Sequence, residues 1–380
     1  MTYEKFESRE LMKEAVELAE KHFKKLHAMP EMAFKEFKTT EYIKDVCRNH
    51  PLRIVDIEME TGLVAYLDAG CKDCIALRAD IDAVPTEHGP EHLCGHDAHT
   101  ATMLGAIHYL SGIKEKLKHN ILFIFQPAEE GTRGAKAMLE QGLMEKLPKR
   151  PSCIYGIHNR PEADCGYVIA HKGPLMSRKS IFRIKLTGRV GHGAMPHKCV
   201  DPIVAAAEIV TGVQTIVSRN VDPFKPAICT VSSISAGTTE SSAPETAALT
   251  GYIRSLDDET HKRMEERLSL LVKDTAEAFE CRCDFEIIPM VPAVDNSPEM
   301  YEKAYEAAKM AVAEDCIIDS NPSLASEDFA VFGEIMPAFL YWVGSGTAGK
   351  ENAMWHSVEF RIGEEYFKTA VPVLAASAMV

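Results

Sequence analysis

Residues suited to binding metal ions are concentrated in one short stretch of the sequence. Residues 92–100 read HLCGHDAHT, so Cys94 and His96 place a thiol and an imidazole two residues apart. Cysteine, histidine and carboxylate side chains are the usual ligands of zinc and related divalent metals. Asp97, or Asp80 upstream, could accept the second N–H of a ligand histidine and fix its tautomer. The stretch therefore indicates a metal site.

Further candidates lie where predicted strands stop. CIALRAD ends at Asp80, NILFIFQP runs into Glu129 and Glu130, and CIYGIH ends at His158. In open α/β sheets, functional sites collect outside the carboxyl ends of the strands. Each residue alone is compatible with an ordinary polar strand end, whereas the set predicts one shared crevice.

The adjacent carboxylates Glu129 and Glu130 suit two different tasks. One can bind a metal while the other takes a proton from water, because carboxylates in different environments hold different pKa values. Their spacing does not decide which glutamate has which task, and an acidic surface loop is the simpler alternative. His192 in GHGAMPH and His356 in WHSVEF are isolated histidines that do not by themselves indicate a site.

Other motif-like features do not predict a site. His88 and His92 lie in a loop with glycine and proline, and we expect them mostly to face solvent. CKDC at 71–74 is a single CxxC pair, whereas a zinc ribbon needs a second pair. The sequence has no P-loop ending in Lys-Ser/Thr and no GxSxG elbow, which argues against a phosphate cradle and a serine hydrolase.

The elements that must position these side chains follow an α/β pattern. Apolar residues recur at helical spacing over 7–27 and 99–117, with short apolar runs of strand length between and after them. This order predicts an α/β fold with a mixed central sheet flanked by helices. The order βαββαβ at 179–291 is instead typical of a ferredoxin-like α+β unit. We therefore predict a catalytic domain formed by 1–178 and 292–380, with an inserted domain at 179–291.

Composition excludes several classes of partner. The formal net charge is −14 and no basic stripe is present, so we do not expect nucleic acid binding. No run approaches the ~18 apolar residues of a membrane span, and the charged N-terminus lacks the features of a secretory signal. The eleven cysteines are odd in number and scattered, which favours reduced thiols in the cytoplasm.

Eight segments in the same order resemble the M20 family of metallopeptidases and amidohydrolases, in its N-acyl-amino-acid amidohydrolase branch. That branch includes hippurate hydrolases, auxin-conjugate hydrolases and N-acetyl-diaminopimelate deacetylases. The segments are LHAMPEMAFKEFKT, ALRADIDAVP, LCGHDAHTATMLGA, LFIFQPAEEGTRGAKAMLEQGLM, GIHNRP, GHGAMPHKCVDPIVAAAEIV, IVSRNVDP and SEDFAVF. Such a series is specific for the family but not for a substrate.

The resemblance implies a role for the candidates at the predicted strand ends. It implies a general base at Glu129 and a two-metal centre in which Cys94 is shared. The five metal ligands would be Cys94, His96, Glu130, His158 and His356.

The resemblance also implies roles for residues of the inserted domain. His192 resembles the family histidine that reaches the partner subunit's active site, which implies a homodimer joined through the inserted domain. The domain would then serve both as lid and as dimer contact. Arg254 resembles a substrate contact, and Ser241 stands where an asparagine that holds the substrate is usual. The loop from Pro85 to Cys94 is also shorter than in most relatives.

These residues together predict a metal-dependent amidohydrolase. We expect it to cleave the amide bond of a small N-acyl amino acid, with water activated by two divalent ions. Manganese, zinc, cobalt and nickel all suit such mixed ligands, and we favour manganese or zinc. The alternatives are a dipeptidase or carboxypeptidase of the same fold, an inactive dimeric binding protein, or a cysteine hydrolase that uses Cys94.

Overall fold

A computed structural model describes residues 3–237 and 241–380. The helices of this part of the chain are α1 Arg9–His27, α2 Phe37–Arg48, α3 His96–Gly112, α4 Gly134–Glu140, α5 Leu143–Lys146, α6 Pro202–Asn220, α7 Asp258–Ala278, α8 Pro298–Ala311, α9 Ala330–Gly333 and α10 Phe367–Ser377. The strands are β1 Arg53–Val55, β2 Leu63–Leu67, β3 Cys74–Asp80, β4 Val84–Thr86, β5 Gly89–Glu91, β6 Asn120–Gln126, β7 Ile154–Asp164, β8 Val168–Ile169, β9 Gly173–Met176, β10 Arg178–Thr187, β11 Gly191–His192, β12 Ala227–Ala236, β13 Ser242–Ala243, β14 Thr246–Ser255, β15 Arg282–Val291, β16 Val294–Asn296, β17 Ile317–Ile318 and β18 Ala338–Gly346.

The chain divides into two compact units. Unit 1 comprises Met1–Gly173, Asp295–Asn321 and Asp328–Val380. Unit 2 comprises Pro174–Val294 and Pro322–Glu327. The sequence pattern that predicts an inserted domain at 179–291 does not indicate that residues 322–327 belong to the same unit. That segment belongs to unit 2 through tertiary contacts such as the hydrogen bond from Ser177 Oγ to the Leu324 carbonyl, at 2.8 Å.

Unit 1 contains an eight-stranded mixed sheet. Its strand order is β1-β2-β6-β3-β7-β18-β8-β17, and the central neighbours β6, β3, β7 and β18 run parallel. Strands β3, β6 and β18 are buried along their whole length, as expected for parallel strands covered on both faces. The predicted mixed α/β fold is confirmed, and the parallel strands bring their carboxyl ends to one edge.

Helix α3 begins where the metal-ligand motif begins. Gly95 precedes the helix with φ 90°, and a Cβ at this position would collide with the side-chain amide of Asn159. Glycine satisfies both this left-handed backbone and this close approach. The helix starts at His96, three residues before the predicted 99–117 segment, because the motif itself forms the first turn.

Unit 2 is built on a four-stranded antiparallel sheet of order β12-β14-β10-β15. Its main elements follow one another as βαββαβ, and α6 and α7 contribute apolar side chains to its core. Helix α6 begins with Asp201 as N-cap, whose side chain accepts the Ile203 N–H at 2.9 Å. Among the described residues of the whole chain, no helix is long and apolar enough to cross a membrane.

A cluster of histidines from α1, α3 and the end of α2 predicts acid sensitivity of unit 1. His22 Nδ1 lies 2.7 Å from Tyr42 Oη, the His50 and His108 rings are 5.7 Å apart, and His108 Nε2 lies 3.6 Å from Glu14 Oε2. Burial, reinforced by the charges of His50 and His108, lowers the pKa of His22 to about 4. Because the folded state binds this proton less readily than the unfolded chain, stability falls as pH drops below about 6.5.

Between pH 7.5 and pH 5, we expect protonation of His22 to lower the free energy of unfolding of unit 1 by about 1–2 kcal/mol. This value allows for the partly exposed ring. The measurement is the urea midpoint followed by fluorescence of Trp342 and Trp355, which both belong to unit 1. His22→Gln should flatten this pH dependence, whereas His88→Gln, at an exposed histidine, should not. If the urea midpoint of His22→Gln depended on pH as strongly as that of the wild-type protein, the prediction would be wrong.

Candidate metal centre

Three of the predicted ligands meet at the carboxyl edge of the parallel strands. Cys94 Sγ lies 3.7 Å from His158 Nε2, and ligand atoms of Cys94, His96 and His158 all lie within 4.8 Å of one another. His158 does not end its strand as predicted, because β7 continues to Asp164 and His158 pairs with Trp342 of β18. The sheet therefore holds His158, while the first turn of α3 holds His96.

A second group shares Cys94 with the first. Ligand atoms of Cys94, Glu130 and His356 lie within 4.8 Å of one another, and His356 Nε2 is 3.4 Å from Glu130 Oε1. His96 Nε2 lies 3.8 Å from both Glu129 Oε2 and Glu130 Oε1, so the two groups are contiguous. All five predicted ligands therefore come together around one thiol, with Glu129 beside them.

The donor set fits divalent metal ions. His96 Nε2 and Glu130 Oε1 are buried without a hydrogen-bond partner among the described residues, which is costly unless a further group satisfies them. Sulfur, nitrogen and carboxylate oxygen atoms together suit divalent transition metals. Burial lowers the pKa of His158 well below its usual range and so keeps this imidazole neutral, as a ligand must be.

Asp82, which the sequence pattern does not single out, links two of the candidate ligands. Its Oδ1 lies 3.1 Å from His96 Nδ1, and its Oδ2 accepts the Glu130 N–H at 3.0 Å. A carboxylate on the remote nitrogen of a ligand histidine fixes the tautomer and orients the ring. Asp82 thus makes the contact with the second nitrogen of a ligand histidine that we expected of Asp80 or Asp97. The only sequence signal for it is its place just beyond a strand end.

Asp82→Asn is expected to weaken metal binding about 10- to 100-fold, because the amide orients the imidazole less strongly than a carboxylate. The measurement is metal content after dialysis against graded concentrations of a chelator. Asp97→Asn is the matched control, since Asp97 is also buried but contacts His27 instead of His96. Equal losses in the two variants would contradict the assignment.

Comparisons with known proteins show the family to which this chain belongs. The sequence model of Peptidase family M20/M25/M40 matches residues 76–379. This chain belongs to that family. It is 33% identical over 369 residues to an N-acetylcysteine deacetylase of Bacillus subtilis, covering 93% of this chain and 94% of the relative. It is 35% identical over 363 residues to an N-acetyldiaminopimelate deacetylase of the same organism, covering 92% and 94%.

A solved structure is similar over nearly the full length of this M20 chain. It is the Bacillus subtilis YXEP protein, described as a dinuclear metal-binding peptidase from family M20. The TM-score is 0.81 at 29% identity, covering 97% of this chain and 98% of that one. The predicted family and the predicted class of enzyme, a metal-dependent hydrolase of amide bonds, are confirmed by the family match and the named relatives.

In this M20 chain, Asp80 lies beside the centre, with its Oδ2 3.8 Å from His96 Nε2, and joins it to a buried network. Its Oδ1 lies 2.7 Å from His99 Nδ1, and His99 Nε2 accepts the backbone N–H of Asn159 at 3.0 Å. Arg78 Nη1 pairs with Asp80 at 2.9 Å and Arg78 Nη2 pairs with Asp328 at 3.1 Å, with all three side chains fully buried. Breaking such a pair leaves a buried charge uncompensated, so the network is costly to disrupt. It fixes the Asn159 backbone directly after a candidate ligand histidine.

The loop histidines of this M20 chain differ in exposure. His88 is exposed, in the two-residue turn of the hairpin formed by β4 and β5, so the short loop before Cys94 contains a tight turn. His92 is only 6% exposed, contrary to the expectation that it faces solvent. Its ring lies 6.1 Å from that of His27, which bonds Asp97 at 2.7 Å. Tertiary packing rather than loop composition decides its burial.

His192 and Ser241 lie close together in unit 2. The pairing of β11 with β13 sets His192 opposite Ser242, and the Gly193 N–H donates to the Ser241 carbonyl at 3.1 Å. Both His192 and Ser241 are exposed. The start of the TTESSAPE segment, at 238–240, lies outside the described residues. These contacts bring together two candidates that are far apart in the sequence.

Arg254 lies on β14 of unit 2. Its Nη1 donates to the Leu324 carbonyl at 2.8 Å and to Ser326 Oγ at 3.4 Å, and its guanidinium lies 5.3 Å from the Tyr252 ring centroid. These partners are neutral groups. They position the charge of Arg254 without neutralising it.

Proposed function

We propose that this M20 chain is a metal-dependent amidohydrolase that removes the acyl group from N-acyl amino acids. The observation that carries the proposal is the convergence of five metal-ligand side chains and an additional glutamate at one sheet edge. The relatives named as deacetylases of N-acetylcysteine and N-acetyldiaminopimelate support this substrate class. The substrate would be a small molecule with an amide bond next to a free carboxylate.

We assign the two divalent ions to the two groups that share Cys94. One set is Cys94, His96 and His158, and the other is Cys94, Glu130 and His356. When bound, the ions would polarise the amide carbonyl and acidify a water molecule. The mixed sulfur, nitrogen and oxygen donors favour manganese or zinc, with cobalt and nickel as alternatives.

We assign the general base to Glu129. Its side chain is buried, and its Oε2 lies 3.8 Å from His96 Nε2, at the margin of both ligand groups. Glu130, in contrast, lies between His96 and His356 and suits a ligand. Glu129 would accept a proton from the attacking water and return it to the leaving amine.

We assign stabilisation of the developing oxyanion to His192. The Ala194 N–H donates to His192 Nδ1 at 3.1 Å, so the neutral ring carries its proton on Nε2. An Nε2–H on an exposed ring is a ready donor for a carbonyl oxygen that gains charge. The neutral contacts of Arg254 leave its charge available for the substrate carboxylate, and Ser241 beside His192 is a further candidate contact.

We propose a homodimer formed through an edge of the unit 2 sheet. Strand β12 lies at the end of the strand order, so one side of it has no neighbouring strand among the described residues. Ile234 on this strand is exposed, as are Ile203 and Val204 of α6. A sheet edge beside exposed aliphatic side chains suits a second copy of the same surface. In such a dimer, His192 would act in the partner's site.

We propose the cytoplasm, a reducing compartment, as the place of action. All eleven cysteines are free thiols. Disulfides form and persist in oxidising compartments, whereas thiols stay reduced in the cytosol. Cys94 must be reduced to bind metal as a thiolate, so its oxidation would abolish the proposed centre.

A substrate panel tests the proposal. The protein is stripped of metal, reconstituted with Mn²⁺, Zn²⁺, Co²⁺ or Ni²⁺, and assayed with N-acetyl, N-benzoyl and indoleacetyl amino acids and with dipeptides. We expect higher kcat/KM on N-acyl amino acids than on dipeptides. Faster dipeptide cleavage would favour the dipeptidase alternative. No turnover with any metal would favour a binding protein, and activity that survives strong chelators would favour the cysteine hydrolase.

A further inference from the structure

Both tryptophans of the chain lie against one arginine beside the metal centre. The guanidinium carbon of Arg160 lies 4.1 Å from the Trp342 ring centroid and 5.3 Å from that of Trp355. Arg160 Nε pairs with Glu162 Oε2 at 2.5 Å, and only 11% of the arginine side chain is exposed. Cation–π contacts are strongest when the cation is shielded from water. We call Trp342, Arg160 and Trp355 the Arg160 clamp.

The Arg160 clamp joins the sheet to an irregular segment. Two of its members belong to the neighbouring strands β7 and β18, whereas Trp355 lies in 347–366, which contains no helix or strand. Trp355 Nε1 donates to Asn159 Oδ1 at 3.0 Å, and the indole meets the His158 ring edge-on with centroids 5.1 Å apart. The clamp therefore fixes Trp355 against residues of the metal centre.

The residue after Trp355 is His356, the most exposed of the candidate ligands. Its side chain is 54% exposed, whereas that of His96 is 1% exposed. Its backbone has φ 67°, an unusual value for a residue other than glycine, and its N–H donates to the Leu93 carbonyl at 2.7 Å. Such a conformation persists only when its surroundings determine it. The anchored indole next to it supplies that constraint.

We propose that Arg160 is a positioning residue whose clamp on Trp355 holds His356 in place for one of the two metal ions. This inference rests on the proposed metal centre. It predicts unequal sensitivity of the two ions, because His96 and His158 lie on α3 and β7, whereas His356 lies in an irregular segment that the clamp holds. Loss of the clamp should weaken binding of the ion assigned to Glu130 and His356 and leave binding of the other ion unchanged.

Metal stoichiometry tests the clamp directly. Arg160→Met removes the charge and keeps an unbranched side chain. We expect metal content after dialysis to fall from about two ions per chain to about one, with the weaker ion bound roughly 10- to 100-fold less tightly. Arg160→Lys keeps a cation, so its metal content should lie between that of the wild-type protein and that of Arg160→Met. Arg183→Met is the matched control, since Arg183 is also a strand arginine paired with a glutamate, Glu286, at 3.2 Å.

Fluorescence supplies a second readout that does not depend on activity. In Trp342→Phe, Trp355 is the only indole, and an aromatic ring remains against Arg160. Titration of Mn²⁺ or Co²⁺ into the metal-free protein should change the emission of Trp355 as the weaker ion binds beside it. Adding Arg160→Met should move this transition to roughly 10- to 100-fold higher metal concentration.

The outcomes separate the clamp from the metal centre itself. Two ions bound at unchanged affinity in Arg160→Met would overturn the inference, as would a raised KM with both ions retained, which would make Arg160 a substrate contact. If Arg160→Met fails to fold, Trp355→Leu removes the ring that contacts Arg160 and leaves the arginine in place, and unchanged metal affinity there would overturn the inference equally. A wild-type protein that binds no metal would instead refute the proposed function and, with it, this inference.

Discussion

Glu129→Gln is expected to lower kcat by about 10²- to 10⁴-fold while metal content stays close to that of the wild-type protein. The amide keeps the size of the side chain but cannot accept a proton from water. Glu129 is buried beside both ligand groups, with its Oε2 3.8 Å from His96 Nε2, so the change would remove the proposed base without opening the site. The measurements are kcat on an N-acyl amino acid and metal content of the same sample.

Glu130→Gln is the matched control. Glu130 differs from Glu129 by one position, but its Oε1 lies 3.4 Å from His356 Nε2 inside a ligand group. This variant should therefore lose metal and activity together. The reverse pattern, with metal lost in Glu129→Gln and retained in Glu130→Gln, would mean that the two glutamates exchange tasks.

His192→Ala is expected to lower kcat by about 10²- to 10³-fold, the usual effect of removing one oxyanion donor. Metal content should not change, because His192 belongs to unit 2 and all five candidate ligands belong to unit 1. The measurements are kcat and metal content of the same sample. An undiminished kcat would exclude this role for His192.

Mixed dimers test whether His192 acts across the proposed interface. A dimer of one His192→Ala subunit and one Glu129→Gln subunit would contain one site with an intact base and an intact histidine from the partner. We expect part of the wild-type activity to return on mixing. The control pairs His192→Ala with a subunit that carries both substitutions, which should restore nothing. No recovery despite demonstrated subunit exchange would argue against the shared site.

The sequence alone predicts the chemistry of the candidate centre. Cys94 and His96 are close in sequence, so their shared position depends only on local geometry. The carboxylates after β6 are predicted from the end of an apolar strand, because the carboxyl ends of parallel strands meet at one edge. The mixed α/β fold follows from the same periodicities and is confirmed.

The sequence leaves open which polar neighbours support the ligands. Asp80 and Asp82 are two residues apart at one strand end, and only the tertiary structure pairs Asp82 with His96 and Asp80 with His99. His92 has the composition of an exposed loop and is nevertheless buried. These outcomes depend on packing between distant segments, which local composition does not encode.

Residue types and their short-range spacing thus determined that this protein carries metal-ligand chemistry on an α/β frame. Only the tertiary structure decided that Arg160 and Trp355, far apart in the sequence, lie together beside His356. The physical reason is that periodic patterns specify helices and strands one at a time. Contacts between distant segments instead depend on strand register and on the path of irregular loops, such as 347–366.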